Sequence, residues 1–213
     1  DGRLRFPQLE AIESFADAAL RAGCTFGDEA DKIATRFREF VGHRRAQTPW
    51  HEVDIALATG VGKTRLAGAI IELFIMSGLS KSILGLSHRR LLLRRWADVL
   101  NAQSPETVVP LLRSHPQLVT LSSFVDWGGT SKGSALIVTQ TVQALASELE
   151  RTWPPMHQMD VLDELSSRDD LVVIFDESHH LRPGADSQGA SSWVQTIAQL
   201  SPKFLIGLTA TPR

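Results

Sequence analysis

A short glycine-containing segment, Ala58-Thr59-Gly60-Val61-Gly62-Lys63-Thr64, has the residue types and spacing of a phosphate-binding loop. Its glycines allow a tight turn in which several backbone N–H groups point at one anion. Lys63 supplies a mobile cation for the β- and γ-phosphates of a nucleotide, and the Thr64 hydroxyl suits a Mg²⁺ ligand. The segment therefore predicts a nucleotide-phosphate site formed by Thr59, Gly60, Val61, Gly62, Lys63, Thr64 and Arg65.

Position 57 departs from the general phosphate-loop pattern, because Leu57 stands where that pattern has glycine. This departure disfavours a kinase or a small GTPase. The simpler alternative for the segment is a chance glycine-rich turn between a strand and a helix. The segment follows a predicted strand and opens a predicted helix, and this context favours the nucleotide site.

Two adjacent carboxylates end another apolar run, where Leu171–Phe175 leads directly into Asp176, Glu177, Ser178 and His179. Asp176 is suited to hold Mg²⁺, and Glu177 to orient and deprotonate an attacking water. His179 is placed to sense the γ-phosphate or to hydrogen-bond a neighbouring motif. Acidic residues at a strand end also commonly cap a following helix. The phosphate loop earlier in the chain favours chemistry, and the predicted catalytic residues are Lys63, Asp176, Glu177 and His179.

A parallel sheet must position these residues, because short β-branched runs alternate with helical patterns along the chain. The runs are continuously apolar, as expected for strands that are buried on both faces. Two helices are predicted before the first strand, near Pro7–Leu20 and Asp28–Gly42. The predicted strands are Val53–Ala58, Ser82–Ser87, Leu118–Leu121, Ala135–Thr139, Leu171–Asp176 and Lys203–Thr209.

Composition limits the class of protein. A chain of 213 residues suits one α/β domain with a small helical extension. The net charge of −2 means that a nucleic-acid partner would have to be held by local basic patches. Cys24 is the only cysteine, which excludes a disulfide framework and favours a reducing cytoplasm. The apolar runs are too short to cross a membrane, and the start at Asp1 suggests an excised domain.

Three segments carry a resemblance to a known family. Asp176-Glu177-Ser178-His179 resembles the DExH box of superfamily-2 helicases, and Gly207-Leu208-Thr209-Ala210-Thr211-Pro212 resembles their motif III. Leu4-Arg5-Phe6-Pro7-Gln8 is similar to their Q-motif region. The resemblance covers Leu4 to Arg213. Within the superfamily, the chain most resembles the group of type III restriction-enzyme motor (res) subunits and bacterial DEAD/DEAH-like helicases.

The resemblance implies a three-layer α-β-α RecA-like domain over residues 51–213, with N-terminal helices over residues 1–50 packed on it. It implies ATP and Mg²⁺ as cofactors, with Thr64 and Asp176 as the metal ligands. Gln8, and less strongly Arg5, would read the adenine edge. Thr209, Ala210 and Thr211 would couple the ATP site to a nucleic acid.

Polar residues follow two of the strands, where the family keeps its contacts with a nucleic-acid backbone. His88, Arg89 and Arg90 follow the second strand, like motif Ia, and Thr139, Gln140 and Thr141 follow the fourth, like motif Ib. Hydroxyl, amide and guanidinium groups suit phosphate contacts that do not read bases. The alternative for the arginines is a solvated helix face.

The family's second RecA-like domain, which carries the arginine finger, is expected beyond Arg213. We therefore expect weak or no ATP hydrolysis from the isolated domain, because such an arginine contributes about 10³–10⁵ in rate. The expected function is that of the first motor domain of a helicase or translocase, with DNA favoured over RNA. Subunits of a restriction, defence or repair complex are further expected partners.

Two alternatives remain. One is a nucleotide-gated binding module without turnover, which the intact set Lys63, Thr64, Asp176 and Glu177 disfavours. The other is a different phosphate-loop enzyme, such as a kinase or an AAA-type ATPase, which Leu57 and Thr209-Ala210-Thr211 disfavour. The sequence leaves open the polarity, the choice between strand separation and duplex translocation, the pathway and the oligomeric state.

Overall fold

The alternating apolar and helical segments form a single sheet covered by helices. The computed structural model describes residues 6–21, 51–76, 78–100, 117–120, 135–149, 165–181 and 187–210. The helices in these ranges are α1 (Phe6–Arg21), α2 (Lys63–Met76), α3 (Arg90–Leu100), α4 (Val142–Leu149) and α5 (Ser187–Gln199), with a short 3₁₀ turn at Ser178–Leu181. The strands are β1 (His51–Ala56), β2 (Ser82–Ser87), β3 (Gln117–Thr120), β4 (Leu136–Thr141), β5 (Leu171–Asp176) and β6 (Phe204–Thr209).

The six strands form one sheet in the order β1-β6-β5-β2-β4-β3, and every neighbouring pair is parallel. The strands β2, β5 and β6 are buried along their whole length, which is why their sequences are continuously apolar. Strand β6 follows all the others in the sequence but lies between β1 and β5. This order places the segments that follow β1, β6 and β5 side by side at one edge of the sheet.

Successive side chains of each strand enter opposite hydrophobic layers. In β5, Val172 and Ile174 join one cluster with the buried faces of α2 and α3. Leu171, Val173 and Phe175 join the other cluster, which α4 and α5 cover. Helices on both faces make this a three-layer α-β-α fold, as the sequence predicts.

Helix α1 packs on the first layer, where Ala11 and Ile12 lie against the cluster below α2. The predicted range Pro7–Leu20 thus corresponds to Phe6–Arg21 in the structure. The second predicted helix, Asp28–Gly42, lies outside the described residues. Among the helices that are described, none is long and apolar enough to span a membrane.

Candidate active site

The carboxyl ends of the parallel strands meet at one edge, which is where ligands bind in open α/β sheets. The phosphate loop follows β1, Asp176 ends β5, and Thr209 ends β6 between them. Ser87 and Thr141 end β2 and β4 at the same edge. The topology therefore places the predicted nucleotide-binding and strand-contacting segments along one side of the domain.

The phosphate loop makes the turn that its glycines predict. Gly60 and Gly62 have φ angles of 77° and 95°, a left-handed conformation that glycine adopts without steric cost. Helix α2 begins at Lys63, so its N-terminal N–H groups face the loop. Leu57 lies partly buried against the first cluster, and its N–H donates to the Thr209 carbonyl at 2.9 Å. The backbone at position 57 therefore ties the start of the loop to the neighbouring strand, while the side chain packs on the cluster.

Gln8 connects helix α1 to this loop. Its side chain is 1% exposed, and Nε2 donates a 2.7 Å hydrogen bond to the Gly62 carbonyl. A Cβ at position 62 would lie only 2.6 Å from that nitrogen, so the approach requires glycine. The residue predicted to read adenine thus touches the phosphate loop, while its predicted companion Arg5 lies outside the described residues.

Lys63 and Glu177 face each other across the edge of the sheet. The Lys63 Nζ lies 3.8 Å from Glu177 Oε1, and both side chains are largely shielded from solvent. Glu177 has a φ of 62°, which is uncommon for a residue with a Cβ and reverses the chain directly after β5. That reversal accompanies the approach of the second carboxylate to the phosphate-loop lysine.

Asp176 is 4% exposed, and its two carboxylate oxygens differ in environment. The Trp96 indole N–H donates to Oδ2 at 3.3 Å, whereas Oδ1 is buried with no hydrogen-bond partner among the described residues. Burial raises the pKa of Asp176, and the Trp96 hydrogen bond acts against that rise. An unpartnered buried oxygen is costly unless another group satisfies it.

The oxygen Oδ1 therefore fits a Mg²⁺ ion or a water of its shell. In nucleotide sites Mg²⁺ needs only one or two protein ligands, since phosphates and water complete its shell. The described ranges hold no group of three His, Cys, Asp or Glu side chains able to enclose a metal.

His179 lies between Glu177 and β6. Its Nδ1 lies 3.4 Å from Glu177 Oε2 and 3.2 Å from Thr209 Oγ1. Thr209 is itself buried at the end of its strand, and Ala210 follows it partly exposed. The third residue of the predicted coupling segment, Thr211, lies outside the described residues.

A polar contact that sequence patterns did not reveal holds the acidic segment to β1. Ser178 Oγ donates a 3.1 Å hydrogen bond to Asp54 Oδ1, across the backbone of Gly207 in the strand between them. A Cβ at position 207 would collide with both side chains. The available signal was Asp54 itself, a half-buried charged residue within a strand.

Three imidazole rings extend from the acidic segment toward the end of β2. The His180 ring centroid lies 4.1 Å from that of His179 and 4.2 Å from that of His88. Burial lowers the pKa of both His88 and His180. Both ring nitrogens of His88 are buried and have no hydrogen-bond partner within the described ranges. His88 is thus packed against the acidic segment, although the sequence predicts a contact with nucleic acid.

The predicted strand-contacting residues differ in exposure. Arg89 and Arg90 are exposed at the start of α3, where the Arg89 N–H donates to Ser87 Oγ at 3.3 Å. Thr139 is 2% and Thr141 5% exposed, and the Thr141 hydroxyl accepts from the Ala144 N–H to cap α4. Of the threonine–glutamine–threonine set, Gln140 alone keeps half-buried side-chain surface at this edge.

Comparison with known proteins identifies a family for this chain. The family model described as type III restriction enzyme, res subunit, matches residues 2–213. A solved structure described as the crystal structure of T4 UvsW matches with a TM-score of 0.44 and 19% sequence identity, over 85% of this chain and 29% of that one. The chain thus spans less than a third of the length of that protein. No curated protein matches the sequence closely enough to count as a relative.

The family model covers nearly the whole chain, and the fold places the segments that resemble helicase motifs at one sheet edge. The chain therefore belongs to the type III restriction enzyme res subunit family, as the first RecA-like motor domain of a superfamily-2 helicase.

Proposed function

We propose that this domain binds ATP with Mg²⁺ and hydrolyses it to drive movement along a nucleic acid, with DNA favoured over RNA. The observation that carries the proposal is the 3.8 Å approach of Lys63 Nζ to Glu177 Oε1 beside the glycine turn. A phosphate-binding cation and a candidate base thus face the same small volume. On ATP binding the two side chains would separate, with Lys63 contacting the γ-phosphate and Glu177 contacting the attacking water.

Binding rests on the loop and the start of α2. The backbone N–H groups of Thr59, Gly60, Val61 and Gly62 surround the phosphates, and Lys63 neutralises the β- and γ-phosphate charge. Thr64 and Asp176 would hold Mg²⁺, and Arg65 follows Thr64 on α2. The ion would offset the charge that develops on the phosphate oxygens. Gln8 and Arg5 are the proposed adenine contacts.

Hydrolysis depends on Glu177 as the general base. The carboxylate orients the water and takes its proton, while Lys63 stabilises the charge on the transferred phosphoryl group. His179 contacts both Glu177 and Thr209. A change in the position or protonation of Glu177 would therefore alter the contact of His179 with β6. The segment Thr209-Ala210-Thr211 would couple this change at the ATP site to the bound nucleic acid.

The nucleic-acid surface is proposed at the ends of β2 and β4. Arg89 and Arg90 supply exposed cations there, and Gln140 supplies an amide. His88, Thr139 and Thr141 belong to the same proposed segments. The two threonines and both ring nitrogens of His88 are buried there. Contacts of this kind go to phosphates and carry no base sequence information.

The complete motor would need a second RecA-like domain after Arg213, which supplies the arginine finger and the other half of the groove. Subunits of a restriction, defence or repair complex are proposed partners, and the cytoplasm is the proposed location. On its own, this domain is expected to bind ATP weakly and to hydrolyse it slowly.

The test uses the protein extended through its second domain. ATP hydrolysis is measured with no nucleic acid, with single-stranded DNA, with double-stranded DNA and with RNA. Strong stimulation by one of these supports the motor and names its track, and double-stranded DNA favours a restriction-type translocase. Tight Mg-ATP binding without turnover under any condition contradicts the motor and favours a nucleotide-gated binding module.

A further inference from the structure

Trp96 contacts the acidic segment from the opposite direction to the phosphate loop. It lies in α3, is 1% exposed, and is among the largest fully buried side chains in the described part of the chain. Its indole N–H donates to Asp176 Oδ2 at 3.3 Å, although the two residues are far apart in sequence. Sequence motifs gave this tryptophan no role.

The indole ring is held in place by its packing against Gly85 of β2. A Cβ at Gly85 would lie 2.8 Å from Trp96 Cζ3 and 3.0 Å from Cε3. A side chain at position 85 would therefore displace the ring from its place against β2. The ring also belongs to the cluster that includes Ile83 and Val172, so surrounding side chains restrict its rotation.

The hydrogen bond distinguishes the two oxygens of one carboxylate. Oδ2 is occupied by the indole N–H, whereas Oδ1 remains buried without a partner within the described ranges. A carboxylate held at one oxygen cannot swing freely about its Cβ–Cγ bond. Groups that hydrogen-bond a metal-binding side chain in this way typically alter metal affinity about 10–100-fold when they are removed.

We propose that Trp96 is a positioning residue that holds Asp176 by Oδ2, so that Oδ1 is presented to the Mg²⁺ of the nucleotide. This inference rests on the proposed function, because it takes Asp176 as a metal ligand. The competing explanation is that Asp176 merely satisfies a buried indole N–H, which usually needs an acceptor. The two explanations differ in whether loss of the N–H changes metal affinity.

The experiment replaces Trp96 by the tryptophan analogue in which sulfur stands in place of the indole N–H, and separately makes Trp96→Phe. The analogue keeps the shape of the ring and loses only the donor. The matched control makes both changes at Trp193, whose ring stacks on Phe175 of the same strand at a 6.3 Å centroid distance. Mn²⁺ serves as the probe, and its binding in the presence of a non-hydrolysable ATP analogue is measured by electron paramagnetic resonance.

The expected result is a rise in the Mn²⁺ dissociation constant of about 10-fold for both Trp96 variants. Metal-free nucleotide affinity of the sulfur analogue should stay unchanged, whereas its thermal midpoint should fall, because the buried Asp176 Oδ2 loses its donor. The Trp193 variants should bind Mn²⁺ as the original chain does. In the extended protein, the Mg²⁺ concentration for half-maximal ATP hydrolysis should rise for Trp96→Phe, while kcat at saturating Mg²⁺ is largely retained.

Unchanged Mn²⁺ affinity in both Trp96 variants would overturn the inference, as would an equal loss at Trp193. Failure of the proposed function gives a separate result. In that case the unaltered chain would show no nucleotide-dependent Mn²⁺ site, and Lys63→Ala would leave nucleotide binding intact.

Discussion

At the scale of single residues, Glu177 combines an uncommon backbone conformation with a contact to the phosphate-loop lysine. A left-handed φ of 62° disfavours an ordinary side chain by about 1–2 kcal/mol. Such strain is typical of functional sites, where the surrounding structure enforces it. At this position, the turn that follows β5 directs the carboxylate toward Lys63.

We expect Glu177→Gln to leave nucleotide binding intact and to lower kcat about 10²–10⁴-fold, the usual contribution of a general base. The amide keeps the size of the side chain but cannot take a proton from water. Binding is measured with a fluorescent ATP analogue, and turnover by phosphate release from the extended protein.

Glu10→Gln is the control for that change, since Glu10 is an exposed glutamate on α1 away from the edge. It should leave both quantities unchanged. Normal turnover by Glu177→Gln would show that another group acts as the base.

The sequence predicted those parts of the site that are encoded by neighbours in the chain. The spacing of Gly60, Gly62 and Lys63 specifies a turn and its charge, and Asp176 and Glu177 follow an apolar run directly. The contacts of Trp96 with Asp176, and of Ser178 with Asp54, join residues from distant elements. They depend on which strands are neighbours, and no local spacing encodes that.

At the scale of elements, the histidine rings between β2 and the 3₁₀ turn make stability depend on pH. Burial is the main cause that lowers the pKa of His88 and of His180. Repulsion from His180 adds to it for His88, and repulsion from His179 adds to it for His180. In both cases Arg89 lowers the pKa further and Glu177 opposes the shift. For His88, nearby His179 lowers the pKa further. The folded state therefore favours neutral rings.

We expect the free energy of unfolding to fall as the pH drops below 6.5, the ordinary imidazole value. Above it, both states are neutral. Below it, the unfolded chain takes up protons that the folded rings resist, so unfolding becomes more favourable. Urea denaturation between pH 8 and pH 5.5 measures the trend.

His88→Phe keeps an aromatic ring in the stack and removes one titrating group. Its unfolding free energy should decline less steeply over the same pH range than that of the original chain. Because the other histidines are common to both proteins, parallel pH curves would contradict a role for His88.

Strand β6 shows how a missing side chain permits a polar contact. Gly207→Ala would force a methyl group against Asp54 and Ser178, so we expect a loss of stability of about 1–3 kcal/mol. The measurement is the urea midpoint at constant m-value. The matched double variant, Asp54→Ala with Gly207→Ala, removes one of the colliding side chains.

In that double variant the total loss of stability should be smaller than the sum of the two single losses, because the changes share one space. Strictly additive losses would mean that Asp54 does not limit the room beside Gly207.

At the scale of the whole molecule, the fold class and most strand positions followed from the sequence. The predicted Ser82–Ser87 and Leu171–Asp176 agree with the structure residue for residue, because each strand contains a continuous apolar run and is buried along its whole length. The first strand begins and ends two residues earlier than predicted, and the fourth extends to Thr141.

The order of the strands was not predictable in the same way. Apolar runs show that strands exist, but the arrangement β1-β6-β5-β2-β4-β3 depends on how the helices pack on both layers. Strand β6 lies between β1 and β5, so the phosphate loop and the acidic segment lie two strands apart at the same edge of the sheet.

The position of β6 has a consequence for biosynthesis. Strand β1 pairs with β6 and with no other described strand. During synthesis, His51 therefore cannot pair until Phe204 has been added to the chain. At ~5–20 residues per second, that interval on the ribosome is roughly 8–30 s. Throughout it the phosphate loop would extend from an unpaired strand edge, which is a template for association with other chains. The phosphate loop of the nucleotide site is therefore synthesised early, but the strand that completes its sheet is synthesised last. In the interval, the exposed edge of β1 depends on other factors, such as chaperones, to keep it from associating with other chains.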